Sequence, residues 1–258
     1  MRKLILGNWK AYLGVKESIV LAGSIGRYVK NNMEAHEVGI APSYASMQGV
    51  SEVIKDSGVN LCAQNFDLDA KDAHTGTVGI QVLQELGCRE VILGHSEVRH
   101  RKPPNADETD ELIASKVGSA LSSEIRPILC VGESLEEKNR GTGVQVVTHQ
   151  LSSVIDLLSD DAKAKVEGLV VAYEPTWAIN APGSKGVADV NEVVSMHKII
   201  KQILVSRFGK EKAQKIRIFY GGGLDPNNIQ TYIGNEEIDG LIVGRASTNF
   251  DSFTGMIR

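Results

Sequence analysis

Cysteine is scarce in this chain of 258 residues, which carries only Cys62, Cys88 and Cys130. An odd, sparse set with no Cys-x-x-Cys pair argues against a disulfide framework and against a zinc ribbon. The histidines at 36, 74, 95, 100, 149 and 197 lack the spacing of a zinc site, so no metal is expected. Long hydrophobic runs are missing as well. No apolar stretch approaches the roughly 18 residues that span a bilayer. The apolar run in MRKLILGNWK is four residues long, too short for the core of a signal peptide. The expectation is a cytoplasmic protein with reduced thiols and no membrane partner. A basic excess is absent too, since 28 lysines and arginines face 32 aspartates and glutamates for a formal net charge of −4. That argues against nucleic acid as a partner, although one local basic site suffices for a small anionic substrate. No linker, shift of composition, low-complexity tract or fixed-period repeat divides the chain.

What is present is an ordinary globular composition, 42% hydrophobic and 23% charged, in a chain long enough to bury a large core without staples. Eight short β-branched or aliphatic runs recur along it: Lys3–Trp9, Glu37–Ala41, Val59–Gln64, Glu90–Gly94, Arg126–Val131, Gly168–Tyr173, Arg217–Tyr220 and Gly240–Val243. They are continuous rather than alternating, the pattern of strands buried on both faces. Helical stripes fill the gaps. Val15–Met33 has apolar residues at 15, 19, 20, 21 and 25, and Thr109–Leu121 has them at 112, 113, 117, 120 and 121. Val144–Leu158 and Asn191–Phe208 show similar stripes, with Asp189 and Asn191 both suited to cap the latter. Phe250–Ile257 has room for a short last helix. Strand–helix alternation means a parallel sheet, and eight repeats in about 250 residues fit a closed α/β barrel, (β/α)8, better than a doubly wound sheet. The reading is one domain, 1–258.

In such a barrel the catalytic residues lie just past the C-terminal ends of the strands. After the first run come Asn8 and Lys10; after the fourth, His95, Ser96 and Glu97; after the sixth, Glu174 and Pro175, then a long loop to about Ala188. Gly221–Gly223 follow the seventh run, and Gly244 and Arg245 the eighth. A carboxylate at a strand end can remove a proton from carbon next to a carbonyl. A neutral imidazole and an ammonium can stabilise the oxyanion that develops. Glycine turns ahead of helices present backbone N–H groups to a phosphate. The set points to proton abstraction alpha to a carbonyl on a small phosphorylated sugar.

The segments GNWK at 7–10, AQN at 63–65, HTGTVGIQVL at 74–83, GHSEVRH at 94–100 and ETDELIASKVGSAL at 108–121 run in order along the chain. PILCVGESLEEKNRG at 127–141, AYEPTWAI at 172–179, YGGG at 220–223 and DGLIVGRAS at 239–247 follow. Collinear over nearly the whole length, they resemble the triosephosphate isomerase family, a well-known case of a tuned active-site histidine and of lid closure. The resemblance implies a TIM barrel and an aldose–ketose isomerase. It would interconvert dihydroxyacetone phosphate and glyceraldehyde 3-phosphate through an enediolate, in glycolysis and gluconeogenesis, with no cofactor. It implies that Glu174 is the base and His95 the neutral electrophile, its charged form disfavoured by the start of the following helix. Lys10 would supply positive charge, Asn8 would orient the enediolate, and Glu97 would be the acidic partner near Lys10. Cys130 would pack behind the base. Trp9 and Trp177 are read as packing residues. Pro175–Ala188 would be the lid, and Asn180, Gly222, Gly223, Gly244 and Arg245 the substrate-binding contacts around the phosphate. The loop Asp72–Gly79 would insert beside Lys10 of a second copy, making a homodimer.

The departures from the family pattern collect at one end of the substrate. The lid reads AINAPGSKGVA, about three residues longer than usual, with Asn180 in place of its phosphate-contacting glycine. Gly223 replaces the usual serine of the strand-seven turn, and Arg245 replaces the second glycine of the turn after strand eight. Ala11 and Tyr12 stand for the usual Met and Asn, Val98 for the first arginine after GHSE, and RHRKPPNADETDE carries an insertion. Arg245 has two readings. Its side chain either points to solvent or pairs with Asp251 or Glu237, or its guanidinium reaches the phosphate. These changes leave two further readings open, an isomerase of a four-carbon ketose phosphate and a catalytically inactive binding homologue.

Overall fold

The computed structural model describes residues 2–32, 35–68, 74–100, 108–179 and 186–258. All eight apolar runs are strands: β1 Leu4–Asn8, β2 Glu37–Ala41, β3 Val59–Ala63, β4 Glu90–Leu93, β5 Arg126–Val131, β6 Val170–Tyr173, β7 Arg217–Gly222 and β8 Gly240–Val243. They form a closed parallel barrel in the order β1 to β8. Successive residues of a strand are buried alike, Leu4, Ile5 and Leu6 all at 0% exposure. Side chains on one face fill the barrel and those on the other meet helices, so neither face selects polar residues.

The helices are α1 Val15–Asn31, α2 Tyr44–Ile54, α3 Ile80–Glu85, α4 Ser96–Arg99, α5 Asp110–Ser122 and α6 Leu135–Asn139. After them come α7 Gly143–Asp156, α8 Asp160–Ala164, α9 Val190–Lys215, α10 Ile229–Ile233 and α11 Phe250–Ile257. The predicted long helices are all found. Asp189 rather than Asn191 caps α9, its carboxylate accepting from the Asn191 N–H at 2.8 Å. Thr109 caps α5 through its hydroxyl, which accepts from the Leu112 N–H. Helix α9 outruns the predicted end at Phe208 because Gly209 takes φ 77°, open to glycine at little cost, and a second helical stretch follows directly. Helices α3, α4, α6, α8 and α10 are four to six residues long, too short to print a 3.6-residue period.

Two boundaries are corrected. Gly168 belongs to a 3-10 turn, Val166–Gly168, and β6 begins at Val170. Gly221 and Gly222 continue β7 instead of turning into a helix, and the next helix starts only at Ile229.

Close contacts group the chain into two units, residues 1–91 with 224–258, and residues 92–223. In the first, the strands β1, β2, β3 and β8 pair in parallel, with Leu4 opposite Glu37 and Gly240. The Trp9 indole N–H donates to the Ser247 carbonyl at 3.1 Å, tying the loop after β1 to the turn after β8. In the second, β5, β6 and β7 pair in parallel, with Val131 opposite Tyr173 and Tyr173 opposite Tyr220. Beneath α5 lies an ion pair, Lys116 Nζ to Glu108 Oε1 at 2.8 Å, each side chain 5% exposed. Removing one partner of such a pair strands the other charge in a low-dielectric setting. Lys116→Ala is expected to lower unfolding stability by about 3–5 kcal/mol, read from the urea midpoint. A loss within about 1 kcal/mol, the range of exposed pairs, would contradict the burial argument.

Candidate active site

Glu174 is the first residue beyond β6. Its N–H donates to the Val131 carbonyl at 2.8 Å, so the pairing of β5 with β6 carries one residue past the strand and fixes the backbone of the carboxylate. The side chain is 4% exposed, and among the described residues Oε2 accepts no hydrogen bond. Two glycines shape its seat. A Cβ at Gly221 would stand 2.5 Å from Glu174 Oε1 and 2.7 Å from its Cγ, and one at Gly132 would overlap the Glu174 carbonyl. Gln150 from α7 clamps Gly132 from outside, accepting its N–H at 2.8 Å and donating to its carbonyl at 3.3 Å. Cys130, buried as expected, lines a small cavity together with Glu174 and Gln150.

His95 leaves β4 and caps α4. Its Nδ1 accepts from the Glu97 N–H at 3.1 Å. A ring nitrogen that accepts holds no proton, so the neutral ring carries its proton on Nε2. Nε2 lies 3.4 Å from Oε2 of Glu174. A buried carboxylate and a buried imidazole therefore sit side by side, one with a vacant acceptor and the other with an N–H to offer. The Glu97 carboxylate is mostly exposed, 3.8 Å from His95 Nδ1.

The backbone beyond Glu174 is held by Glu133. One of its carboxylate oxygens accepts from the Tyr173 hydroxyl at 3.0 Å and the Trp177 indole N–H at 2.8 Å. Its carbonyl accepts from the Thr176 N–H at 3.0 Å. Burial, and next the Glu133 charge, pushes the Tyr173 phenol far above its ordinary range, so it stays a donor. Trp177 and Trp9 are buried packing residues, and each also donates a hydrogen bond. The end of β7 holds the residues flanking the expected lid, since the Gly223 N–H donates to the Ala178 carbonyl at 2.8 Å and the Tyr220 hydroxyl accepts from Ala188 at 3.4 Å. Asn180 and the other central lid residues, 180–185, lie outside the described residues.

In the first unit, Asn8 is buried at the end of β1, and its Oδ1 accepts from the Lys10 N–H at 3.1 Å. Lys10 takes φ 47°, in the left-handed region that costs a side-chain-bearing residue energy. Gln64 Nε2 pins this turn, donating to the Lys10 carbonyl at 2.8 Å and the Ala41 carbonyl at 2.9 Å. Gly244 caps a 3-10 turn, Arg245–Thr248. Of the two readings of Arg245, the branch that pairs it with Asp251 or Glu237 is not found, and its side chain is exposed. The guanidinium instead lies 5.0 Å over the Tyr12 ring, and among the described residues no carboxylate pairs with it.

Reading the strand ends misses Gly132, Glu133, Gln150 and the seat role of Gly221, which support a functional group instead of carrying one. Gly132 and Glu133 lie inside PILCVGESLEEKNRG, and that segment was the only signal for them.

A buried carboxylate against a neutral imidazole at the strand ends of a (β/α)8 barrel defines an enzyme equipped for proton transfer. Residues 3–258 match the sequence model of the family described as triosephosphate isomerase. The chain is 38% identical over 261 residues to the triosephosphate isomerase of Carboxydothermus hydrogenoformans, covering all of this chain and 99% of that one. It is 37% identical over 257 residues to that of Aquifex aeolicus and 36% identical over 257 residues to that of Dictyoglomus turgidum, again covering all of this chain and 99% of each relative. The chain belongs to the triosephosphate isomerase family.

Gly221→Ala puts a methyl group into the Glu174 carboxylate. A displacement of about 1 Å can cost around a hundredfold in rate, so kcat is expected to fall by about that factor while the urea midpoint hardly moves. Unchanged kcat in a folded variant would show that the carboxylate position is not what Gly221 protects.

Proposed function

We propose that this protein interconverts dihydroxyacetone phosphate and glyceraldehyde 3-phosphate, as a glycolytic and gluconeogenic enzyme of the cytoplasm, acting as one domain over 1–258. The observation that carries the reading is the 3.4 Å approach of His95 Nε2 to Glu174 Oε2, with Nδ1 committed to a backbone N–H. Glu174 removes the proton from the carbon next to the substrate carbonyl and returns it to the neighbouring carbon. The C–H electron pair becomes the double bond of an enediolate, and His95 donates its Nε2 proton to the oxygen that gains charge and takes back a hydroxyl proton. Lys10 adds positive charge and Asn8 orients the oxygens. Glu97 is the acidic partner of Lys10. Gly222, Gly223, Gly244 and Arg245 surround the phosphate, and the backbone N–H groups of Gly222, Gly244 and Arg245 bind it, that of Gly223 being held by the Ala178 carbonyl. No cofactor enters this scheme. Relatives named triosephosphate isomerase along their whole length support a three-carbon substrate over the four-carbon and binding-only alternatives.

A homodimer is part of the proposal, through the loop Asp72–Gly79, of which residues 74–79 are described. That loop runs into Gly79, bridged in parallel to Asp67. Sedimentation at micromolar concentration is expected to give a dimer, and a fully active monomer would remove this part.

Glu174→Asp draws the base back by one methylene, about 1 Å, and is expected to cut kcat around a hundredfold. The inhibition constant of 2-phosphoglycolate should change far less, because phosphate contacts remain. His95→Gln should behave alike, keeping bulk and losing the Nε2 donor. Equal losses in kcat and inhibitor affinity would make Glu174 a binding or structural residue and contradict the reading.

A further inference from the structure

Tyr12 and Arg245 leave adjacent strands at the same end, β1 and β8, where Gly7 lies opposite Val243. Both stand on a tied frame. The Tyr12 N–H donates to the Trp9 carbonyl at 3.1 Å, the Trp9 indole to the Ser247 carbonyl at 3.1 Å, and the Ser247 hydroxyl back to Val243 at 3.0 Å. On that frame the Arg245 guanidinium lies 5.0 Å over the Tyr12 ring, which is 42% exposed. A guanidinium has five N–H donors, so one that lies over a ring keeps donors free to point away from it. Among the described residues no carboxylate pairs with that charge. A free arginine side chain samples many rotamers, and ordering it on binding weakens the contact it makes. A ring beneath it removes much of that freedom beforehand.

We propose that Tyr12 is a positioning residue whose ring holds the Arg245 guanidinium in place for the anionic group of the substrate. The pair would add a side-chain anion contact to the backbone N–H groups around it. The inference rests on the reading of Arg245 as a substrate contact given above.

The test compares wild type, Tyr12→Ala, Tyr12→Phe, Arg245→Ala and the double variant Tyr12→Ala/Arg245→Ala. Inorganic phosphate binding is measured by calorimetry without turnover, KM and kcat are measured with glyceraldehyde 3-phosphate, and urea unfolding checks the fold. Tyr12→Ala is expected to weaken phosphate binding and raise KM about three- to sixfold, more than it lowers kcat. Tyr12→Phe keeps the ring face and should stay within about twofold of wild type. In the double variant the loss should be no greater than in Arg245→Ala, since neighbours acting through one contact are not additive. Tyr12→Ala binding phosphate as tightly as Tyr12→Phe, losses that multiply in the double variant, or a wild type that binds no phosphate would each overturn the proposal. A wild type that binds phosphate in this pattern yet isomerises no triose phosphate would contradict the proposed activity alone.

Discussion

The site depends on the seat of one carboxylate. The proposed base role of Glu174 needs burial next to carbon and freedom from hydrogen bonds to keep a lone pair available, and these demands conflict in a packed protein. The barrel meets both by removing side chains around it. Gly221 and Gly132 leave space that a single methyl group would fill. The β5–β6 pairing fixes its backbone, and Gln150 holds Gly132 in place from α7. His95 faces the carboxylate with the tautomer that the Glu97 N–H imposes. Strand geometry thus becomes chemistry, because Gly132, Gly221 and His95 lie at or just past the ends of strands, with Gln150 bracing Gly132 from α7.

The region after the base shows a related economy. Glu133 holds a hydroxyl, an indole and a backbone amide around one turn. Where family members usually carry a serine in the turn after β7, this chain has Gly223, whose backbone N–H nonetheless binds the Ala178 carbonyl. A main-chain contact of this kind does not depend on the side chain.

Much of the barrel was legible in the sequence because strands buried on both faces write continuous apolar runs, and those around Ile5, Val38, Ile128 and Val171 fall where the strands are. His95 and Glu174 were legible because each immediately follows such a run, and Asn8 because it falls near the end of one. The glycines were half legible. Gly221 and Gly222 read as a turn, yet they extend β7, since a strand can run on through glycine when a neighbouring carboxylate needs the room. Glu133 and Gln150 left no periodic or terminal signal, because their work is done through tertiary hydrogen bonds. The partner of Arg245 was illegible for the same reason. Charge favours Asp251 or Glu237, whereas the turn geometry after β1 delivers an aromatic ring.

The central claim is that Glu174 carries a proton between adjacent carbons of a triose phosphate. Turnover of unlabelled glyceraldehyde 3-phosphate in deuterated water, followed by proton NMR of the product, tests it most directly. A carboxylate that exchanges its acquired proton with solvent leaves deuterium on C1 of the dihydroxyacetone phosphate formed. Deuterium entering that carbon as fast with Glu174→Gln as with the wild type would mean that another group moves the proton, and would contradict the account.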